Sequence, residues 1–283
     1  LILNLNENIE GNYIGKKIIT YGRNAGDSEY PVPNLFIAEG VTIENVSSGS
    51  NSDNISGNRF NNHIKGNNGH DIINGFGGDD VLEGGLGNDL VDGGDGFDSY
   101  YVKKPKSSFS ISRIDDETFQ IKSGLADGVD LIKNIERVFF GYDSEDVLAL
   151  DIGAGQVSGQ TYRLYQAAFA REPETAGISY HVNDIEIKGL SLYQVSNNFL
   201  ASPEFIYKYG AKLSDEEYIN ALYKNVLGRT AQDFEVNFYI ENFDKNVTDD
   251  GWMDRAIALI GFAESPENIT LVANQIDNGI WLS

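Results

Sequence analysis

Residues 48–101 read SGSNSDNIS, GNRFNNHIK, GNNGHDIIN, GFGGDDVLE, GGLGNDLVD and GGDGFDSYY, six units of nine residues with no gap between them. Position one is Ser48 and then Gly57, Gly66, Gly75, Gly84 and Gly93. Position six is Asp53, Asn62, Asp71, Asp80, Asp89 and Asp98, and position eight is Ile55, Ile64, Ile73, Leu82, Val91 and Tyr100. Glycine permits positive φ and close approach of neighbouring carbonyls. The residue at six closes each turn with a side-chain oxygen, and the one at eight belongs to a short strand and points inward. A flexible Gly/Asn/Asp linker has no reason to keep an apolar residue at every ninth position. One unit cannot bury its single apolar side chain alone, so stability requires stacking. The stretch therefore predicts a parallel β-solenoid.

The pattern resembles the GGxGxDxUx nonapeptide of RTX proteins, a calcium-binding repeat. The resemblance implies a right-handed parallel β-roll in which each unit is half a coil, units two apart stack, and calcium lies between stacked turns. One stack then carries Asp53, Asp71 and Asp89, and the other Asn62, Asp80 and Asp98. About four ions are implied, between Asp53 and Asp71, Asp71 and Asp89, Asn62 and Asp80, and Asp80 and Asp98. Main-chain carbonyls of the turns would complete the shell of oxygens that a hard cation takes. The resemblance draws them from Gly49, Asn51, Gly66, Gly69, Gly75, Gly77, Gly78, Gly84 and Gly93. The sequence departs from the repeat at Ser48, Asn51 and Asn62, and at Phe60 and Phe76, which stand on glycine positions four and two. Asn62 offers a neutral oxygen, so the Asn62/Asp80 position is expected to be the weakest.

Ahead of the repeats, Asn34–Val46 places Glu44 and Val46 on positions six and eight of a degenerate lead-in coil. This segment resembles the one that introduces the roll in serralysin-type secreted metalloproteases. Residues 1–33 hold short apolar runs, Ile2 to Leu5 and Lys17 to Thr20, expected to be edge strands or loops against the roll. Behind the repeats, Ser108–Ile114 and Thr118–Ile121 alternate with period two around Asp115-Asp116-Glu117, predicting a β-hairpin. Asp127–Ile132 and Ile135–Phe140 resemble the β cap that ends RTX rolls, and a cap is expected because the last coil would otherwise expose its strand edges. Asp130 could ligate an extra calcium, but its expected role is that of a solvated turn carboxylate.

Near Asp151 the periodicity becomes helical, after a Gly153-Ala154-Gly155-Gln156 linker, with Tyr162, Tyr165 and Phe169 on one face. Ser202-Pro203-Glu204 and Ser265-Pro266-Glu267 read as helix starts, and Ser214–Glu217 as a capping box. This half is duplicated: Leu164-Tyr165, Arg171 and Tyr180 match Leu222-Tyr223, Arg229 and Phe238, and Phe199 with its Ser-Pro-Glu matches Phe262 with the other. It resembles a helical domain of unknown function found behind RTX repeats and in bacterial surface proteins. Arg171 and Arg229 are expected to bind helix C-terminal carbonyls. The organisation expected is 1–47 lead-in strands, 48–101 β-roll, 102–150 hairpin cap and 151–283 all-α domain, a multidomain β plus α chain.

With 21 Lys and Arg against 43 Asp and Glu, the net charge of −22 argues against nucleic-acid binding and for cations as partners. There is no cysteine, and no run of apolar residues long enough for a membrane span. The histidines, His63, His70 and His181, make no H-E-x-x-H helix, and no nucleophile elbow or phosphate loop occurs, so no catalytic residue is assigned. His63 and His70 fall on outward positions, where a solvated imidazole is expected. The chain opens Leu1-Ile2-Leu3-Asn4 without Met and is read as part of a longer product. The function expected is calcium-dependent folding after export from a bacterium, as the non-catalytic C-terminal part of a secreted serralysin-like metalloprotease. The alternative is the end of a surface-layer or adhesin protein. The type I secretion apparatus or a cell-surface partner is the expected macromolecular contact, and Ile280–Ser283 weakly resembles a secretion signal.

Overall fold

The computed structural model describes residues 2–4, 18–19, 44–123, 128–141, 146–243 and 253–283. It divides into two units, Leu1–Leu150 and Asp151–Ser283. The lead-in residues Asn34–Ile43 lie outside the described residues, as do Asp127 and the remainder of the N-terminal segment.

The first unit is a parallel β-solenoid. Successive repeat strands alternate between two sheets, so each nine-residue unit supplies half a coil. One sheet carries β4 (Asn54–Asn58), β6 (Ile72–Gly77) and β8 (Leu90–Asp95). The other carries β3 (Asn45–Ser47), β5 (His63–Asn68), β7 (Val81–Leu86) and β9 (Ser99–Val102). All these pairs are parallel with a shift of eighteen residues, Ile55 opposite Ile73 opposite Val91, and Val46 opposite Ile64 opposite Leu82 opposite Tyr100. Position eight forms the core: Ile55, Ile64, Ile73, Leu82, Val91 and Tyr100 are each at most 2% exposed. The short strands β1 (Ile2–Asn4) and β2 (Ile18–Ile19) add parallel edges to β4 and β3.

After β9 the chain leaves the roll to form the expected hairpin, β10 (Phe109–Arg113) and β11 (Thr118–Ser123), with Ile111 opposite Ile121. It then re-enters. β12 (Val129–Lys133) pairs antiparallel with β11 and parallel with β8, placing Ile132 opposite Val91. β13 (Arg137–Phe140) pairs parallel with β9, placing Val138 opposite Tyr100, and β14 (Asp146–Ala149) closes antiparallel on β13. Ile132 and Val138 are fully buried, so the cap contains one further coil of the roll.

The second unit holds eight helices among its described residues. They are α1 (Val157–Phe169), α2 (Thr175–Glu186), α3 (Leu192–Leu200) and α4 (Pro203–Tyr209), then α5 (Asp215–Val226), α6 (Asp233–Phe243), α7 (Arg255–Ala263) and α8 (Pro266–Ile276). Tyr162, Tyr165 and Phe169 are buried as their spacing predicts. Ser202 and Ser265 cap α4 and α8 ahead of Pro at N1, and Ser214 and Glu217 form the capping box of α5. The duplication is a repeated set of contacts. Tyr165 meets Phe199 edge-on at 5.6 Å as Tyr223 meets Phe262 at 4.8 Å.

Arg171 and Arg229 do not serve mainly as helix-end caps. Arg171 clasps Glu204 through two hydrogen bonds of 2.7 and 3.1 Å and lies over Tyr165, donating to its hydroxyl. Arg229 clasps Glu267 and Glu235 and lies over Tyr223. The glutamate of each Ser-Pro-Glu start is therefore an arginine partner, and Arg171 retains only one carbonyl contact, to Glu172. The tail Ile280–Leu282 is a strand against α2, with Ile280 buried and the Ser283 amide donating to Ser179 Oγ.

Candidate metal centre

Position six is where the roll gathers oxygen. Each position-six amide donates to the side chain one coil further on. The Asp53 amide bonds Oδ1 of Asp71 at 2.7 Å, Asn62 that of Asp80 at 2.6 Å, Asp71 that of Asp89 at 2.9 Å, and Asp80 that of Asp98 at 2.8 Å. The cap continues both ladders. The Asp89 amide bonds Oδ1 of Asp130, and the Asp98 amide bonds Oε2 of Glu136. Asp130 is 6% exposed, so it is not a solvated turn carboxylate. It stands on position six of the re-entering coil, with Gly128 at φ +85° on position four.

The second carboxylate oxygen separates the turns into two kinds. In the first two units the corresponding oxygen, Oδ2 of Asp53 and the single amide oxygen of Asn62, is held by the unit's own backbone: the Gly49 amide donates to Oδ2 of Asp53, and the Asn58 amide to Oδ1 of Asn62. The Ser48 hydroxyl also donates to the Gly66 carbonyl, filling the cradle at that end. In the other four units, Oδ2 of Asp71, Asp80, Asp89 and Asp98 is buried with no hydrogen-bond partner. An ionised oxygen left bare in this way is costly unless a cation accompanies it.

The surroundings of these oxygens fit a hard cation. A methyl group at Gly66 would collide with Oδ2 of Asp71 and with the carbonyl of Gly84, so both oxygens crowd one point that only glycine leaves open. Gly75 brings together Oδ2 of Asp80 and the carbonyl of Gly93 in the same way. Among the described residues no three His, Asp or Glu side chains converge on one point. The donor set is instead one carboxylate with main-chain carbonyls, the oxygen-only chemistry that suits calcium. Asn67 and Phe76, on position two, adopt φ +73° and +77°, so Phe76 accepts the left-handed turn that glycine normally supplies. Phe60, on position four, does not take up a positive φ.

Burial, the first cause, drives these carboxyls above their ordinary range. Asp71 and Asp80 are pushed up to about 6 and Asp98 to about 7, and Asp89 is raised as well. Neighbouring carboxylates add to the effect, Asp89 and Asp53 on Asp71, and Asp80, Asp79 and Asp92 on Asp98. The roll without a cation is thus poised to hold protons.

A second ladder was not expected. At position five, the His70 amide donates to Ser52 Oγ, the Asn88 amide to Nδ1 of His70, and the Val129 amide to Oδ1 of Asn88. On the other side, the Asp79 amide donates to Asn61 Oδ1 and the Phe97 amide to Asp79 Oδ1. His70 is exposed, but its ring is an acceptor in this ladder and not merely solvated. The signal was available: position five is Ser, Asn, His, Asp and Asn before ending in Phe97.

Comparison with known proteins agrees with this geometry. Residues 47–75 and 77–100 match the model of the RTX calcium-binding nonapeptide repeat (4 copies). Residues 196–272 match a domain of unknown function, DUF4214. The first unit therefore contains RTX calcium-binding repeats over residues 47–100, and the second contains a match to that helical domain over residues 196–272. No curated protein matches the chain. Among solved structures, the extracellular lipase LipA from Serratia marcescens is similar over 36% of this chain and 15% of its own, at 18% identity and a TM-score of 0.20. The AlgE6R3 subunit of the Azotobacter vinelandii mannuronan C5-epimerase is similar over 30% of this chain and 71% of its own, at 21% identity and a TM-score of 0.20. The chain thus spans only a small part of the lipase's length. No helix among the described residues is long and apolar enough to cross a membrane.

Proposed function

We propose that Asp71, Asp80, Asp89 and Asp98, with carbonyls of the turn glycines around them, hold calcium, and that binding and folding of the roll are one equilibrium. The observation that carries this is the four buried carboxylate oxygens without a partner. Asp53 and Asn62, whose corresponding oxygens already accept backbone amides, contribute through the ladder and less to the ions. Residues 48–101 hold nine acids against Arg59 and Lys65. Stacked without cations, these charges oppose a roll whose apolar core is a single row per sheet. At the low calcium of a bacterial cytoplasm the segment stays unfolded. At extracellular calcium the ions neutralise it and supply folding energy by mass action.

In the parent protein this makes the region a folding module for a secreted chain, in the position that rolls occupy behind serralysin-like catalytic domains. The helical unit serves as an interaction module for the export machinery or a surface partner. The test is calcium titration of the chain by calorimetry and circular dichroism. Uptake of about four ions with a concerted gain of β signal is expected. No uptake, or a β signal unchanged in strong chelator, would overturn the reading.

A further inference from the structure

The last turn of the first stack, Gly84–Asp89, meets an ordinary neighbour only over its second half, where Gly128–Asp130 stack on Gly87–Asp89. In the interior turns, the place where a Gly66 or Gly75 methyl would stand is shared by a carboxylate oxygen and a glycine carbonyl from the next coil. At Gly84 the next coil would supply the carbonyl of Val102, but β9 parts from β7 beyond Tyr100, and the Val102 carbonyl accepts the Gly141 amide instead. The place is taken by the hydroxyl of Tyr100, 2.8 Å from a Gly84 methyl, beside Oδ2 of Asp89.

The protons settle what this hydroxyl can do. Tyr100 donates its only hydrogen to Oδ2 of Asp130, at 2.8 Å. Its oxygen therefore faces Asp89 as an acceptor, with a Gly84 backbone hydrogen bond as its other support. Asp89 is fully buried and its Oδ2 has no partner. With Asp89 ionised, two acceptors converge with no hydrogen between them. At the opposite end of the stack, the Ser48 hydroxyl does the reverse, donating to the Gly66 carbonyl and leaving its cradle satisfied. A cavity of about 240 Å³ lined by Gly85, Leu86, Tyr100, Phe109 and Asp130 lies beside the hydroxyl's partners.

We propose that Tyr100 is a cation ligand, completing with Asp89 and Asp130 a terminal calcium site in which a phenol oxygen replaces the missing glycine carbonyl. The site rests on the reading of the roll as a calcium binder but differs from the repeat sites in being built mainly from side chains. Tyr100→Phe keeps the buried ring and removes the phenol oxygen together with its hydrogen bond to Asp130. Calorimetric calcium titration of the full chain should show one ion lost, or one site weakened about tenfold, with the remaining sites unchanged. Asp130→Asn, which keeps the shape of the side chain, should weaken the same single site and decides the matter if the phenylalanine variant fails to fold. A full complement of ions at unchanged affinity in either folded variant overturns the proposal. Absence of calcium uptake by the unaltered chain would instead overturn the reading of the whole roll, and this proposal with it.

Discussion

The Asp89 amide donates to Oδ1 of Asp130 at 3.1 Å, although 41 residues separate them, where every repeat-to-repeat bond of this kind spans 18. The hairpin is thus an insertion within the roll, and the nonapeptide grid resumes behind it. Asp130 is the anchor of that resumption, since it also accepts the Tyr100 hydroxyl. Removing it as Asp130→Ala strands two buried donors. The expected loss is about 2–5 kcal/mol of stability in the calcium-loaded chain, from unfulfilled hydrogen bonds of about 1–3 kcal/mol each. Asp116→Ala, on the exposed hairpin turn, should change stability by less than about 0.5 kcal/mol. Denaturant unfolding with excess calcium checks this, and equal effects would mean that the cap coil does not anchor the roll.

The two kinds of turn predict a ranking among ligands. Asp71→Asn removes charge from a bare buried oxygen, whereas Asp53→Asn alters one already held by the Gly49 amide. The first should raise the calcium midpoint of folding several-fold more than the second. Circular dichroism followed against free calcium measures both, and matching midpoints would contradict the distinction.

Much of this was legible because nine-residue spacing forces equivalent residues into equivalent places. Ile55 to Tyr100 could be assigned to the core, and Asp53 to Asp98 to the turns, without any coordinates. Asp130 and Glu136 were not legible as ladder members, because a hairpin separates the first from Asp98 and only six positions separate the two from each other. Spacing carries no information once a turn is shortened, and Asn134 at φ +50° is where that shortening occurs. The distinction between the bare oxygens and those of Asp53 and Asn62 was equally hidden. It depends on whether residues 49 and 58 turn their amides inward, a backbone choice that composition does not express.

The raised carboxyl pKa values set a pH dependence for the calcium-free chain. A carboxyl whose folded pKa exceeds its unfolded value binds more protons when folded, so its contribution favours folding at low pH. For Asp71, Asp80 and Asp98 that contribution is complete below the unfolded value of 3.8 and is lost as pH rises through about 6 to 7. In chelator, β signal should therefore increase as pH falls from 8 toward 5. With calcium present the order reverses, because protons compete for the same oxygens, and the calcium midpoint should rise over that range. A chelated roll that gains no structure on acidification would contradict the burial of these groups.

The helical unit has a buried ion pair whose loss should be felt there. Arg163 is 1% exposed on α1, between the core residues Tyr162 and Leu164, where a charged residue would be expected to face solvent. It donates to both oxygens of Glu264 and to the carbonyls of Ile152 and Gly153, tying the segment ahead of α1 to the end of α7. Arg163→Ala leaves a half-buried carboxylate and two carbonyls without their partner, and should cost about 3–5 kcal/mol. Arg171→Ala breaks a more exposed clasp with Glu204 and should cost about 1 kcal/mol or less. Neither change should move the calcium midpoint of the roll, since all of these contacts lie within residues 151–283. Thermal unfolding followed by helical circular dichroism, with and without calcium, gives both readings at once. A comparable loss from the two substitutions would show that burial does not set the strength of these arginine contacts.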